Sequence, residues 1–257
     1  MAAWRTKWVR EKRDIALRLG SGGCGGSYGE AAIILCAVLN AMAAEVWSGR
    51  GLDRKRFVEL LKQFAPANLQ ATRVSVPLLI GYLRRSGKEL EAGLLRDSFM
   101  NYCNSRVLTG EEIDRSEREI LGVCNTLSTS ELRKFSYANL LYEEIRSGYV
   151  HQYQPGERAD SWPMTQKSNA NISYVNVNLV GERDRRIHFH LRWISELVIH
   201  IAEEVDKISK NIPLPQPSKW WVDVFCFRWN WSFPLNLLTI ERRGGKRDGK
   251  TTTEVYG

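Results

Sequence analysis

The sequence predicts a mainly α-helical protein, and three observations support this fold class. Apolar residues recur at helical spacing in most segments, and helix-capping patterns precede several of these segments. Only the stretch 171–191 alternates apolar and polar residues as strands do. A chain of 257 residues with 43% hydrophobic residues is long and apolar enough to bury a core. The predicted fold class is therefore mainly α with a small β-hairpin.

The first half of the chain is predicted to form a series of helices. A helix over 2–19 carries six basic residues and is followed by the glycine-rich segment 20–26. Ser27 with Glu30 three positions later is a capping-box pattern, and it starts an alanine-rich helix. Turn residues then separate four further helices, which we place at 54–64, 78–85, 89–102 and 111–124.

The second half alternates between helix and hairpin signals. Apolar residues at helical spacing predict a long helix over 130–146. Two alternating segments, 171–179 and 186–191, flank a short polar turn and predict the hairpin. A last amphipathic helix over 192–209 is expected to complete the helical bundle.

The pair with the clearest chemistry stands where the long helix is predicted to end. Arg146 and His151 are separated by four residues in the run RSGYVH. Histidine can take or give a proton near neutral pH, and arginine presents a charged fork of donors to phosphate oxygens. The pair therefore suits attack on an RNA phosphodiester. Gly148 is expected to loosen the helix, so that two side chains about 140° apart on an ideal helix can converge.

The run from Leu140 to His151 resembles the signature of the HEPN superfamily. In that signature an arginine, a polar residue and a histidine four to six positions after the arginine end a core helix. Ser147 stands at the polar position, and the segment 25–36 is similar to the opening core helix of some bacterial members. The resemblance covers about residues 27–210 and implies a HEPN-like helical bundle, here with additional N-terminal helices.

The resemblance implies a metal-independent endoribonuclease that uses no cofactor and works as a homodimer on RNA. It also implies a toxin or phage-defence effector, with an antitoxin or another defence-system partner. Arg146, His151 and Ser147 would be catalytic, and cleavage by the 2′-hydroxyl would leave a 2′,3′-cyclic phosphate. Tyr149 and Tyr153 are expected to bind substrate by stacking on bases, with packing as the plainer alternative.

Two other functions remain open at this stage. A non-catalytic HEPN-like module would bind nucleic acid or protein, and its Arg146 and His151 would be vestigial. A purely structural assembly protein is the third alternative. In both, Arg146 is an exposed helix residue and His151 caps the C-terminus of the helix, where the helix dipole favours it.

Charge and cysteine content bear on partners and location. The formal net charge of +8 favours an anionic partner such as nucleic acid. Five scattered cysteines without a C-x-x-C motif predict neither a zinc ribbon nor a disulfide framework, which fits a reducing cytosol. The N-terminus lacks a secretory signal, and no apolar stretch of the ~20 residues that span a bilayer is apparent. We therefore expect a cytoplasmic protein without a membrane partner.

Three weaker signals each have a plain alternative. The segment 20–26 could offer backbone N–H groups to a phosphate, but a linker is the preferred interpretation. His188 and His190 point to the same face of a strand, yet no third ligand completes a metal site. The basic N-terminal helix could track a phosphate backbone with Trp4 and Trp8 stacked on bases, although docking through these tryptophans is preferred.

The predicted domain organisation has two parts. A HEPN-like helical domain covers 1–212, with N-terminal helices over 1–129 and the motif-bearing helix, hairpin and last core helix over 130–212. A proline- and tryptophan-rich extension follows over 213–257 and is predicted to be partly disordered. Its aromatic cluster, 219–231, is expected to pack on the protein or on a second subunit.

Overall fold

Most of the chain folds into helices that pack around one central helix. The computed structural model describes residues 2–100, 107–161, 170–179 and 182–208. Over these ranges the prediction of a mainly helical protein with a small sheet is confirmed. The predictions for 213–257 lie outside the described residues.

Three helices open the chain: α1 (Ala2–Gly20), α2 (Tyr28–Val46) and α3 (Asp53–Phe64). The predicted capping box at the start of α2 is present. The Ser27 side chain accepts a hydrogen bond from the backbone N–H of Gly29, and the backbone N–H of Ser27 donates to the Glu30 carboxylate at 2.8 Å. These bonds satisfy N–H groups that a helix start leaves without partners.

Helix α2 is the centre of the bundle and packs against α1, α3 and the last helix, α11 (Leu191–Ile208). It is long and apolar enough to cross a membrane. However, 11 of its residues are buried inside the protein, among them Leu35, Leu39 and Met42 with no exposed surface or almost none. This burial is typical of the core helix of a soluble protein. A cytoplasmic location stays a prediction.

The middle of the chain is more broken than predicted. It contains α4 (Val76–Arg85), α5 (Glu89–Phe99), α6 (Gly110–Ile113), α7 (Glu117–Val123) and α8 (Thr129–Arg133). The predicted single helix over 111–124 is wrong, because the chain leaves helical geometry at Asp114. The predicted helix over 130–146 is likewise interrupted, and it restarts behind the N-cap residue Ser136.

The predicted hairpin is present, and a third strand extends it. Strands β2 (Ile172–Leu179) and β3 (Glu182–Phe189) pair antiparallel, with Ile172 opposite Phe189. The short strand β1 (Val107–Thr109), which was not predicted, pairs antiparallel with β2. The sheet order is β1-β2-β3.

The helix that carries the Arg146–His151 pair runs through residues 137–152, and we call it the motif helix. It consists of α9 (Tyr137–Leu140), a π-helical segment (Leu141–Ser147) and α10 (Gly148–Gln152). The prediction that this helix ends at Arg146 is wrong, because helical geometry continues for six further residues.

A buried carboxylate ties four elements together behind the motif helix. Asp114 has no exposed surface. It accepts hydrogen bonds from the backbone N–H of Val76 at 2.9 Å, the Tyr174 hydroxyl at 2.6 Å and the Tyr137 hydroxyl at 2.5 Å. The network joins α4, the break between α6 and α7, the motif helix and β2, and it explains why the chain departs from a single helix at Asp114.

Asp114 should give folding stability a distinctive pH dependence. Burial raises its pKa to about 7, against the opposing effect of the bonds from Tyr137 and Tyr174. Between about pH 4 and pH 7 the folded state then holds a proton that the unfolded state has lost, so the Asp114 contribution to stability decreases as pH rises through 7. Urea unfolding measures the free energy of unfolding of wild type minus that of Asp114→Asn. This difference should be about 1–3 kcal/mol larger at about pH 5 than at about pH 8.

Asp97→Asn is the matched control, because the Asp97 side chain is 65% exposed. Its difference from wild type should vary little over the same pH range. A difference between wild type and Asp114→Asn that is constant with pH, or that grows as pH rises, would contradict the prediction.

Candidate functional site

The motif helix contains a π-helical segment, Leu141–Ser147, which includes Arg146, and its hydrogen bonds leave the α-helical pattern at the end of this segment. In an α-helix the carbonyl of Glu144 would accept from the N–H of Gly148. Here the N–H of Gly148 donates to the carbonyl of Ile145 instead, and the Glu144 carbonyl accepts from the N–H of Gly156 at 2.7 Å. A π-helical turn of this kind often occurs at functional sites.

The loop after the motif helix is clamped to the same turn by side chains. The Glu144 carboxylate, 6% exposed, accepts from the backbone N–H of Arg158 at 3.1 Å and from its Nε at 2.7 Å. Glu143 accepts from the same guanidinium at 3.0 Å. A side chain at Gly156 would collide with the Glu144 carboxylate, so only glycine fits at this crossing. The loop therefore fixes the end of the motif helix.

Gly148 has a packing role that the sequence did not reveal. Its backbone is helical, with φ −56° and ψ −55°, so the prediction that it loosens the helix is wrong. A Cβ at this position would lie 2.6 Å from the carbonyl oxygen of Gln154 and 2.8 Å from the nitrogen of Gly156. Glycine is needed here because the loop backbone crosses directly over the helix.

Arg146, Ser147 and His151 lie on one side of the motif helix. On an ideal α-helix, counted around the axis from Arg146, Val150 would fall at about 40°, Ser147 at about 100° and His151 at about 140°, whereas Gly148 and Tyr149 would fall at about 200° and 300°. Gly148 and Tyr149 are buried, and Val150 and His151 are exposed. The predicted pair thus flanks one exposed face, and the structure records no hydrogen bond or ring contact between the two described side chains.

The surroundings of Arg146 leave its charge available. Its guanidinium carbon lies 5.1 Å from the ring centroid of Tyr142, a cation–π contact. Burial raises the pKa of Cys36 to about 12, and the Arg146 charge opposes that rise. Arg146 forms no ion pair with any described residue, and His151 forms no hydrogen bond with one.

The two predicted substrate-binding tyrosines have different environments. Tyr149 is 5% exposed, and its ring centroid lies 6.1 Å from that of Tyr28. Tyr153 is 66% exposed, and its hydroxyl donates to the Glu30 carboxylate. Hydrogen bonds from Ser27 and then from Tyr153 lower the pKa of Glu30 to about 2. Both tyrosines line one cleft, and neither Arg146 nor His151 lines it.

This cleft, which we call the Tyr149 cleft, has a volume of about 670 Å³. It lies between the start of α2, the loop after the motif helix and the end of β3. Its principal side chains are those of Tyr28, Tyr149, Tyr153, Ser161, His188 and His190. The structure therefore joins both predicted tyrosines to both histidines of the strand, and glycines of the segment 20–26 complete the wall.

The two histidines of the cleft are neighbours, with ring centroids 4.9 Å apart, as their alternation in the strand predicts. His188 Nδ1 lies 3.0 Å from the carbonyl oxygen of Asp160, and His190 Nε2 lies 3.0 Å from the hydroxyl of Ser173. Burial lowers the pKa of His188, and it lowers the pKa of His190 to about 4. Both rings are therefore neutral near pH 7.

The described residues contain no group of three or more histidine, cysteine, aspartate or glutamate side chains that could hold a metal ion. His188 and His190 alone fall short of the three protein ligands that catalytic zinc sites use. Neither does the described structure bring a carboxylate or a thiolate to complete the pair.

The basic N-terminal helix is held to the bundle by ion pairs. Arg5 pairs with Glu45 and Asp206, and Arg10 pairs with Glu203 at 3.1 Å. Trp8 packs against the core. These contacts support the docking interpretation of the helix, and the side chain of Trp4 lies outside the described residues.

A second cleft, of about 640 Å³, was not predicted. Its charged lining comprises four basic and two acidic side chains: Lys62, Arg73, Arg118, Arg133, Glu117 and Glu119. They come from α3, the segment before α4, α7 and α8, so no local pattern in the sequence could have indicated the cluster. Neither Arg146 nor His151 lines this cleft or the Tyr149 cleft.

Replacing Gly148 by alanine should destabilise the fold. In an exposed helix a Gly→Ala change stabilises by up to ~1 kcal/mol. Here the added methyl group meets backbone atoms, so we expect a loss of about 1–3 kcal/mol in the free energy of unfolding. Gly93→Ala in α5 is the control, because its Cβ would meet nothing within 4 Å and it should be neutral or stabilising. Equal stability changes for the two variants would contradict the loop crossing.

Comparison with known proteins identifies no relative. No protein-family model matches this chain, and neither a curated protein nor a solved structure is similar to it. The likeness to the HEPN superfamily therefore depends on the quoted residues alone.

Proposed function

We propose that this protein is a metal-independent endoribonuclease of HEPN type, in which Arg146 and His151 act on the ribose–phosphate backbone. The observation that carries the proposal is the free charge of Arg146. It has no carboxylate partner among the described residues and flanks the same exposed helix face as His151. An anionic ligand at this face would meet a cation and an imidazole.

Arg146 differs in this respect from a group of nine other described arginines. Nine described arginines form ion pairs with carboxylates: Arg5, Arg10, Arg13, Arg54, Arg56, Arg96, Arg133, Arg158 and Arg192. In those pairs the charge is already neutralised. The guanidinium of Arg146 keeps its donors for an external oxygen, and a planar fork of donors suits phosphate.

The proposed reaction needs no metal-bound water. His151 takes the proton of the ribose 2′-hydroxyl, and the 2′-oxygen attacks the adjacent phosphorus. Arg146 stabilises the negative charge that builds on the phosphoryl oxygens, and Ser147 offers a further hydrogen bond beside them. The bond to the 5′-oxygen breaks as that oxygen gains a proton. The products are a 2′,3′-cyclic phosphate and a 5′-hydroxyl.

A second copy of the chain supplies the missing acid in this proposal. One histidine cannot remove a proton and deliver another in the same step, and Arg146 and His151 of one chain are about 140° apart around the helix. A two-fold axis beside the exposed face would place two arginines and two histidines around one phosphate. Val150, 50% exposed in the middle of this face, would then be buried in the contact.

A non-catalytic RNA- or protein-binding module is the second candidate. The absence of Arg146 and His151 from the linings of both described clefts favours this alternative. A role as a toxin or phage-defence effector with an antitoxin partner follows from the family resemblance only.

Alanine at either position should abolish RNA cleavage. With chelator present, the wild-type chain should cut RNA and leave 2′,3′-cyclic phosphate ends. His151→Ala should lower the rate by about 10²–10⁴-fold, as expected for loss of a general base. Arg146→Ala should lower it by about 10²–10³-fold, because the negative charge that builds in the transition state then loses the cation that stabilises it. Mapped ends and initial rates measure both effects.

Two exposed residues of α11 provide controls. His200→Ala and Arg192→Ala remove the same side-chain types from a different surface, where both are involved in i,i+4 pairs with glutamates. Their rates should equal that of wild type. If wild type does not cut RNA, or if all four variants cut equally, the binding-module alternative is favoured.

Val150→Asp should reduce both dimerisation and cleavage. A carboxylate in the middle of a two-fold contact would face its own copy, and like charges in an interface are strongly unfavourable. Light scattering should show that Val150→Asp is a monomer. Its rate of RNA cleavage should be lower than that of wild type by at least about tenfold. Leu94→Asp is the control, because Leu94 on α5 is 51% exposed and lies outside the motif helix. A dimeric, fully active Val150→Asp variant would place the contact elsewhere.

A further inference from the structure

The Tyr149 cleft has the size and walls of a small-ligand site. Its volume of about 670 Å³ lies within the roughly 300–1,000 Å³ that ligand pockets usually have. Five flat rings line it, those of Tyr28, Tyr149, Tyr153, His188 and His190. Aromatic and imidazole walls favour a planar ring, on which they can stack.

The lining selects a neutral group. Among the described residues that line the cleft there is no lysine, arginine, aspartate or glutamate. His188 and His190 are buried and neutral near pH 7. At the N-terminus of α2 the Glu30 carboxylate already accepts from the N–H of Ser27, so a negative charge stands beside this wall of the cleft. A phosphate would therefore gain little here, whereas an uncharged ring is accommodated.

One buried polar atom in this wall lacks a partner among the described residues. The Tyr149 hydroxyl forms no hydrogen bond in the structure, although the side chain is only 5% exposed. Ser161 is near enough to oppose the rise that burial causes in the pKa of Tyr149, but its geometry does not make a hydrogen bond. A buried hydroxyl without a partner costs about 1–3 kcal/mol, so a ligand that bonds it gains accordingly.

His188 supplies an acceptor in the lining of the same cleft. Its Nδ1 lies 3.0 Å from the carbonyl of Asp160, and a carbonyl can only accept. The proton of the neutral ring is therefore on Nδ1, and Nε2 carries a lone pair. Nε2 forms no hydrogen bond with any described residue. The rings of His188 and Tyr149 both pack against Tyr28, with centroids 5.1 Å and 6.1 Å away.

We propose that the Tyr149 cleft binds an unpaired nucleobase through its Watson–Crick edge. On that edge a donor stands beside an acceptor, and the cleft lining offers the complementary groups, the His188 lone pair and the Tyr149 hydroxyl. In adenine the exocyclic amine donates to His188 Nε2, and ring nitrogen N1 accepts from Tyr149. The sugar and phosphate point to solvent. A base within a duplex has this edge occupied and cannot bind. The site does not depend on RNA cleavage.

Calorimetry with the full chain and adenosine tests the proposal. Adenosine should bind, and AMP should bind within about twofold of it, because the lining is uncharged. Purine riboside, which lacks only the exocyclic amine, should bind at least about fivefold more weakly. Tyr149→Phe should lower the affinity for adenosine by about three- to tenfold. Tyr82→Phe, which removes a hydroxyl outside the cleft, should leave the affinity unchanged.

Several results would overturn the site. The site is overturned if adenosine fails to bind at about 5 mM. It is also overturned if adenosine and purine riboside bind with equal affinity, or if Tyr149→Phe binds adenosine as tightly as wild type does. AMP at least about tenfold tighter than adenosine would indicate an anion site instead. The two nucleosides are compared on the wild-type chain, so the test holds even if Tyr149→Phe folds poorly. If Tyr149→Phe unfolds at the same thermal midpoint as wild type, the Tyr149 hydroxyl serves the ligand and not the fold.

Discussion

The hydrogen bond from the N–H of Gly156 to the carbonyl of Glu144 is the interaction on which the rest of the site depends. It takes the carbonyl out of the helical ladder near the end of the π-helical segment. The Glu144 side chain then bonds Arg158 and holds the loop down. Gly148 and Gly156 are required at this crossing because any Cβ would meet atoms of the opposing segment. Two glycines and one buried carboxylate thus decide how the helix ends.

The clamped helix end separates two surfaces with different chemistry. On its exposed side Arg146 and His151 offer a permanent charge and a titratable ring. On its inner side Tyr149 forms a wall of an uncharged, aromatic cleft. The first surface suits a phosphate and the second suits a planar ring. Because these surfaces share no residue, loss of one activity by mutation need not affect the other.

Local patterns were enough to predict most helices and the hairpin, but not the breaks between helices. The departures at Asp114 and Ser136 depend on partners far along the chain: Asp114 bonds Val76, Tyr137 and Tyr174, and the backbone after Ser136 bonds the segment 71–75. Capping boxes at Ser116–Glu119 and Ser128–Glu131 are visible in the sequence and could have located two restarts. The cleft could not be predicted, because it is assembled from α2, the motif helix and β3.

The energetics of Arg146 argue that its charge has a use outside the fold. Covering the Tyr142 ring requires only apolar contact, and methionine or leucine would supply it without desolvating a cation. The guanidinium adds a charge and five N–H donors that no described carboxylate uses. Other arginines of the protein repay their desolvation by pairing, and Arg158 does so with Glu143 and Glu144. A half-buried arginine without such a partner gains the most from an anion that arrives from solvent, and His151 stands on the same exposed face of the helix.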